Sequence, residues 1–315
     1  MIRVIAPSRS IAILSDSLRK IADERFAALG LTLTFGPYVN EKDEFVSSSI
    51  ESRVADLHGA FRDPAVKGII TVIGGFNCNQ LFRSIDWELL RNNPKIFCGY
   101  SDITALNNAI FAKTGLVTYS GPHYSTFGQK LHFEYTLEYL QKCLMSEEPF
   151  EIKSSVDWTD DSWYMDQDDR HLVPNEGYTV INEGEVEGTI LGANLCTVNL
   201  LQGTEYMPDI KGSILFLEDD YETVPHTFDR DLQSLIHLPD FSQVKGLVIG
   251  RFQKKSNMTK ELLMKIIKTK KELNHMPVIT ELDFGHTDPK ITFPVGGTAK
   301  ITCWKGSASV VIQSH

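Results

Sequence analysis

Cysteine is sparse and scattered in this 315-residue chain: Cys78, Cys98, Cys143, Cys196 and Cys303 are odd in number and form no Cys-x-x-Cys pair. That pattern speaks against a disulfide framework or a thiolate zinc site and reads as the reduced thiols of a cytoplasmic protein. No apolar run reaches membrane-spanning length, so no membrane association is expected. The opening Met1-Ile2-Arg3-Val4-Ile5-Ala6-Pro7-Ser8 lacks the apolar core of a signal peptide and reads as a first strand and its loop. Dense basic runs are missing too, and a formal charge of −10 argues against a nucleic-acid partner. There is no internal repeat, no Gly-x-Gly-x-x-Gly, no phosphate-binding P-loop and no His-Glu-x-x-His. What is present is ordinary: 42% hydrophobic and 23% charged residues, enough for a sizeable core in one large or two smaller domains.

The first half alternates β-rich runs with helical segments. Strand-like runs fall at Arg3–Ala6, Leu31–Phe35, Gly68–Ile73, Lys95–Cys98 and Leu116–Tyr119, and helical ones at Ser15–Leu29, Ser49–Arg62, Asn79–Leu90 and Asp102–Lys113. Such alternation predicts an α/β fold of βαβ units around a mostly parallel sheet, with ligands bound beyond the carboxyl ends of the strands. Three loops leave strands on that edge: Pro7–Ser10, Gly74–Asn77 and Gly99–Asp102. Residues 150–183 are acidic and aromatic, with Trp158, Trp163 and Tyr164 within seven residues. This stretch reads as an inter-domain loop, either a binding lid or a linker whose tryptophans dock on the surface. From Val186 onward a second α/β unit with more β character follows, ending in a hairpin around Lys305-Gly306-Ser307. The expected division is residues 1–149, 150–183 and 184–315.

The most informative stretch is Ile96-Phe97-Cys98-Gly99-Tyr100-Ser101-Asp102-Ile103-Thr104. An apolar strand ends, a serine follows a glycine by two, and a helix begins. A serine at such a turn exposes its hydroxyl beside unpaired helical N–H groups, as in a nucleophile elbow. Asp102 departs from the usual small residue after the serine, and a simple helix cap is the alternative. A serine nucleophile needs a base and an acid to orient it. Glu218 ends the apolar run Ile214–Leu217, and His286 follows Phe284-Gly285 before a proline loop. Metal chemistry has its own candidates in Asp283, His286 and Asp288, or in Glu218, Asp219, Asp220 and Glu222. No clustered His/Cys pattern supports them, so neither metal nor cofactor is expected. The glycines of Gly74-Gly75-Phe76-Asn77 suit a tight turn with exposed N–H groups able to face an oxyanion.

Taken with Ile190–Leu195 and Phe284–Thr287, these motifs resemble the serine LD-carboxypeptidase family, and within it the microcin C self-immunity branch, over almost the whole length. The resemblance implies a parallel-sheet α/β N-terminal domain, a β-rich α/β C-terminal domain, a metal-independent hydrolase and a homodimer. Carried over by motif, Ser101 is the nucleophile, His286 the base and Glu218 the orienting carboxylate, with the N–H groups of Gly75 and Asp102 as oxyanion hole. Trp163 is the expected nucleobase-stacking residue, and Phe76, Asn77, Asn194 and Glu222 complete the expected substrate contacts. The implied substrate is an amide in a peptidyl- or aminoacyl-nucleotide. Murein tetrapeptides are the alternative, and a non-catalytic ligand-binding protein on the same fold is a third reading. Some branch members carry a lysine one helical turn after the glutamate to recognise an acidic substrate. Glu222 stands there in this chain, and a second carboxylate would repel such a substrate.

Overall fold

The computed structural model describes residues 1–315. Two sheets lie at its centre. The first has six strands in the order Phe293–Val295, Thr118–Ser120, Ile96–Cys98, Gly68–Thr71, Ile2–Ile5, Leu33–Phe35. Its last five are mutually parallel. Strand Ile2–Ile5 has its successor in sequence on one side and Gly68–Thr71 on the other, so the winding reverses between them. The loops leaving these two strands, which carry Ser8 and Gly74–Asn77, therefore open a crevice at the carboxyl edge. Strand Gly68–Thr71 is buried at every residue, as a parallel strand covered on both faces must be.

The helices start where short polar side chains cap them. Ser15 accepts from the Leu18 N–H at 3.3 Å, and Ser49 from the Ser52 N–H at 3.0 Å. Helix Thr104–Thr114 ends on Gly115 at φ +76°, the left-handed turn that glycine adopts without penalty. The expected helix Asn79–Leu90 divides into a 3-10 segment, Cys78–Ser84, and a separate helix, Trp87–Asn92. Asp86 causes the division: its carboxylate caps the Leu89 N–H at 2.9 Å, and Ile85 before it is extended and buried.

The second sheet has eight strands in the order Phe150–Ile152, Ser307–Ser314, Thr298–Trp304, Gly184–Asn194, Ser213–Glu218, Gly246–Gly250, Val278–Leu282, Thr179–Asn182. Its four strands from Gly184–Asn194 to Val278–Leu282 run parallel and the outer ones antiparallel. The segment 150–183 is thus more ordered than a loop. It supplies both edge strands of this sheet and a two-stranded ladder, Asp157–Trp158 with Val173–Pro174. Strand Phe293–Val295 leaves the second half and closes the first sheet, antiparallel to Thr118–Ser120. Cys98 and Tyr119 of the first sheet belong to the same buried cluster as Phe216, Phe284 and Phe293.

The contact that sets the two sheets in register is polar. Asn108, on the helix that follows Ser101, donates to the Gly192 carbonyl at 2.8 Å and accepts the Gly192 N–H at 3.2 Å. Thr104 Oγ1 accepts the Asn194 N–H at 3.2 Å. Asn194 is the register partner of Glu218 on the next strand. The helix leaving Ser101 is therefore bolted to the strand beside Glu218, and the carboxyl edges of the two sheets face each other.

Candidate active site

Ser101 stands at φ +60°, a conformation a non-glycine residue adopts only where its surroundings enforce it. Tyr100 occupies the cap position, and no side chain caps the 3-10 turn Ser101–Ile103. The serine is thus lifted off the strand end as an elbow, and the capping alternative does not describe it. Gly74 makes room: a Cβ there would lie 2.9 Å from Ser101 Cβ, 3.0 Å from its Oγ and 3.6 Å from the Asp102 nitrogen. The Gly75 N–H, in the same loop, donates to no protein acceptor.

Asp102 explains its own departure from the usual small residue. Its Oδ2 accepts from Ser8 Oγ at 2.6 Å and from the Asn77 and Cys78 N–H groups at 3.0 Å each. One buried carboxylate therefore ties the three strand-edge loops together. Arg53, also buried, seals them from behind by donating to the Pro7 and Asn77 carbonyl oxygens, both at 3.1 Å.

His286 lies across the crevice. Its Nε2 is 3.1 Å from Ser101 Oγ and its Nδ1 is 2.7 Å from Glu218 Oε2. Glu218 is 2% exposed at the end of its strand. Two glycines press on it: a Cβ on Gly250 would sit 2.9 Å from Glu218 Cβ, and one on Gly285 would sit 2.3 Å from Oε2. Burial pulls the His286 pKa down, but Glu218 at hydrogen-bond distance, with Asp220 and Asp219 beyond it, outweighs that and leaves the imidazole raised. Asp219 is also buried. Desolvation, then the charges of Glu218 and Asp220, push its carboxyl up to about 7.

The remaining expected contacts spread around this chain of bonds. Phe76 is 68% exposed beneath the Arg9 guanidinium. Asn77 holds its side-chain oxygen against Arg53 at 3.1 Å. Asn194 is buried and spends its side chain internally, accepting from Thr197 Oγ1 at 2.7 Å and donating to Asp219 at 3.1 Å. Glu222 is exposed, with its N–H on Asp220 at 2.8 Å. The two tryptophans differ. Trp158 lies beneath Arg251 and Lys254, at 5.0 and 5.1 Å, as a surface anchor. Trp163 has only Tyr164 edge-on at 6.0 Å as a ring neighbour. Asp283 is taken by Arg251 at 2.5 Å and Asp288 by Lys290, so the two carboxylates of the first candidate metal set face cations.

Residues 2–121 match the LD-carboxypeptidase N-terminal domain and residues 187–301 the LD-carboxypeptidase C-terminal domain. The chain belongs to the LD-carboxypeptidase family. It is 54% identical over 314 residues to the Bacillus subtilis (strain 168) protein YocD, which bears a carboxypeptidase name, covering 100% of this chain and 97% of that one. The crystal structure of an MccF-like protein from Bacillus anthracis str. Ames superposes with a TM-score of 0.98 at 53% identity, covering 100% of this chain and 96% of that one. The microcin C7 self-immunity protein MccF of Escherichia coli is 30% identical over 281 residues, 85% of this chain and 80% of its own length. A structure of MccF holds aspartyl sulfamoyl adenosine, with a TM-score of 0.88 at 27% identity over 100% of this chain and 96% of that one. Family membership makes the chain a hydrolase of carboxypeptidase type. No helix is long and apolar enough to cross a membrane.

His123 and Gly250 were not legible as site residues, because they reach the site through long-range packing. Tyr100 and Lys290 adjoin Ser101 and His286 in the chain, but nothing local marks their side chains as packing beside the imidazole. The only local signal was Gly285, next to His286.

Proposed function

We propose that this chain is a metal-independent serine peptidase that hydrolyses the amide of an aminoacyl- or peptidyl-nucleotide through an acyl-enzyme. The observation that carries the reading is the unbroken chain Ser101 Oγ, His286 and Glu218, at 3.1 and 2.7 Å, ending on a serine at φ +60°. Ser101 passes its proton to His286 Nε2 as Oγ attacks the carbonyl carbon. Glu218 accepts from Nδ1, fixing the tautomer and balancing the imidazolium. The N–H groups of Gly75 and Asp102 receive the oxyanion, a role for which the unspent Gly75 donor is suited. His286 then returns the proton to the leaving nitrogen, and a water repeats the sequence to release the acyl group. These residues supply nucleophile, base and charge stabilisation, so no step calls for an ion.

Two observations favour a nucleotide leaving group. Trp163 is free of the cationic clamp that holds Trp158, and MccF, a family relative, binds an aminoacyl sulfamoyl nucleoside. Glu222 disfavours an acidic acyl side chain. Murein tetrapeptide hydrolysis is the second reading, because family membership extends to a murein tetrapeptide carboxypeptidase of Pseudomonas aeruginosa, 27% identical over 95% of this chain and 92% of that one. The test is a hydrolysis panel of aspartyl, glutamyl and neutral aminoacyl sulfamoyl adenosines beside murein tetrapeptides, run with wild type and Ser101→Ala. Turnover of neutral aminoacyl adenosines that vanishes in Ser101→Ala supports the proposal. Turnover of tetrapeptides alone selects the second reading, and turnover that survives Ser101→Ala defeats both.

A further inference from the structure

Among the buried charges the mechanism leaves unused, one ion pair lies beside the base. Lys290 is 3% exposed and Asp288, its ion-pair partner, is 6% exposed. Removing two charges from water is costly, and apolar residues of similar volume would pack at least as stably. The pair reaches the imidazole through the ring of Tyr100. Lys290 Nζ stands 5.4 Å from the centre of the Tyr100 ring, within cation–π range. That ring stacks on His123 at 4.3 Å and meets His286 at 5.4 Å, tilted by 59°. Lys290 is further fixed by its N–H on Thr136 Oγ1 at 3.0 Å.

The same pair reaches the aromatic segment. Asp288 exchanges two backbone hydrogen bonds with Thr159, at 2.7 and 2.8 Å. Thr159 is fully buried and lies between Trp158 and Trp163. The loop bearing the base and the segment bearing Trp163 therefore share one anchor.

We propose that Lys290 is a positioning residue for His286: clamped by Asp288, its ammonium holds the Tyr100 ring as a floor under the imidazole and offsets the carboxylates on its other side. The charges facing this imidazole are Glu218, Asp219 and Asp220 from the strand end at 218, and Asp288 and Lys290 from its own loop. Tyr100 and His123 are the titratable groups on the first-sheet side. Burial drives His123 well below the ordinary histidine range, so it faces His286 as a neutral ring. His286 thus sits between the three carboxylates of the strand end and the Lys290–Asp288 pair. Removing the cation raises the proton affinity of the imidazole, because only burial then opposes the carboxylates.

The inference rests on the proposed serine mechanism for its kinetic arm but not for its spectroscopic one. In the full-length protein without substrate, the His286 imidazole is titrated by NMR in wild type, Lys290→Met and Lys290→Arg. The expected result is an upward shift of half a pH unit or more in Lys290→Met and a return towards wild type in Lys290→Arg. With a hydrolysed substrate, Lys290→Met lowers kcat roughly tenfold or more at little changed KM, as small misplacements of catalytic groups do. Its acid limb of kcat/KM moves to higher pH. Should Lys290→Met not fold, Tyr100→Leu, which removes the floor and keeps the charge, carries the kcat test. An unshifted His286 titration with only a lowered melting temperature makes Lys290 a structural residue and overturns the proposal. Loss of all Ser101-dependent turnover in wild type overturns the serine mechanism instead, leaving the NMR result to stand by itself.

Discussion

Glu218→Gln isolates the orienting role from shape. Glutamine is the same size, and the crowding of Gly250 and Gly285 leaves no space for a water or another side chain to replace the lost oxygen. Wild-type Glu218 only accepts, so the 2.7 Å bond fixes the imidazole proton on Nδ1 and leaves Nε2 free to take the serine proton across 3.1 Å. The variant amide can present its NH2 to Nδ1 instead. The imidazole proton then moves to Nε2, and two donors meet at Ser101 Oγ. A wrong tautomer of this kind costs about 10⁴ in kcat in a serine protease triad. A loss of roughly 10³ to 10⁴ is expected here, with KM within a few-fold, because no substrate contact is removed. The pH profile gives an independent sign. His286 is raised chiefly through Glu218, and a base is inactive while protonated, so removing the carboxylate moves the acid limb of kcat/KM to lower pH. The same raised histidine stabilises the wild-type fold below its unfolded pKa and ceases to do so as pH rises through the folded value. The variant should therefore lose stability relative to wild type mainly on the acid side. Steady-state kinetics from pH 5 to 9 with parallel thermal melts measure both. A kcat within tenfold of wild type, or an acid limb that stays in place, refutes the orienting role.

Three further outcomes follow from the geometry. Gly74→Ala places a methyl 3.0 Å from Ser101 Oγ, so kcat should fall by about 10² or more, the scale of a lost oxyanion donor, with little change in melting temperature; normal turnover would show that this side of the serine is not used. Asp219 keeps its proton up to about pH 7 in the fold but loses it near the ordinary carboxylate value when unfolded, so wild-type stability should decline as pH rises from about 4 to about 7. Asp219→Asn should flatten that slope in urea melts, and an identical slope would refute the assignment. Trp163→Ala should weaken adenylate-bearing ligands by about 1–3 kcal/mol in calorimetry, the range for base–aromatic stacking, and spare ligands without a base. Trp158→Ala should instead lower thermal stability, since it removes the surface beneath Arg251 and Lys254; the reverse pattern would exchange the two roles.

What could be read from the sequence was what is local. The strand-to-helix turn at Ser101 announces itself because Gly99 and the following helix are contiguous with it, and Glu218 because an apolar strand runs straight into it. The helix Pro225–Ile236 likewise starts at a local signal, with Pro225 in its first turn. The failures occurred where partners lie far apart in the chain. Phe293-Pro294-Val295 holds a proline and gave no strand signal, yet it pairs with Thr118–Ser120 at the sheet edge, where a missing N–H is tolerated. Asp102 looked like a blemish in a nucleophile motif until its carboxylate was seen to collect the loops at 8 and 77. The approach of Ser101 to His286 depends on yet another distant pair, Asn108 with Gly192. Gly192 sits at φ +110°, and a Cβ there would meet the Phe216 carbonyl oxygen at 2.4 Å. A side chain at that position would push the strand bearing Asn194 away from the one bearing Glu218. Because the helix after Ser101 is bonded to the same strand, the nucleophile would lose its register with the base. The glycine in Ile190–Leu195 thus belongs to the chemistry through the backbone it permits.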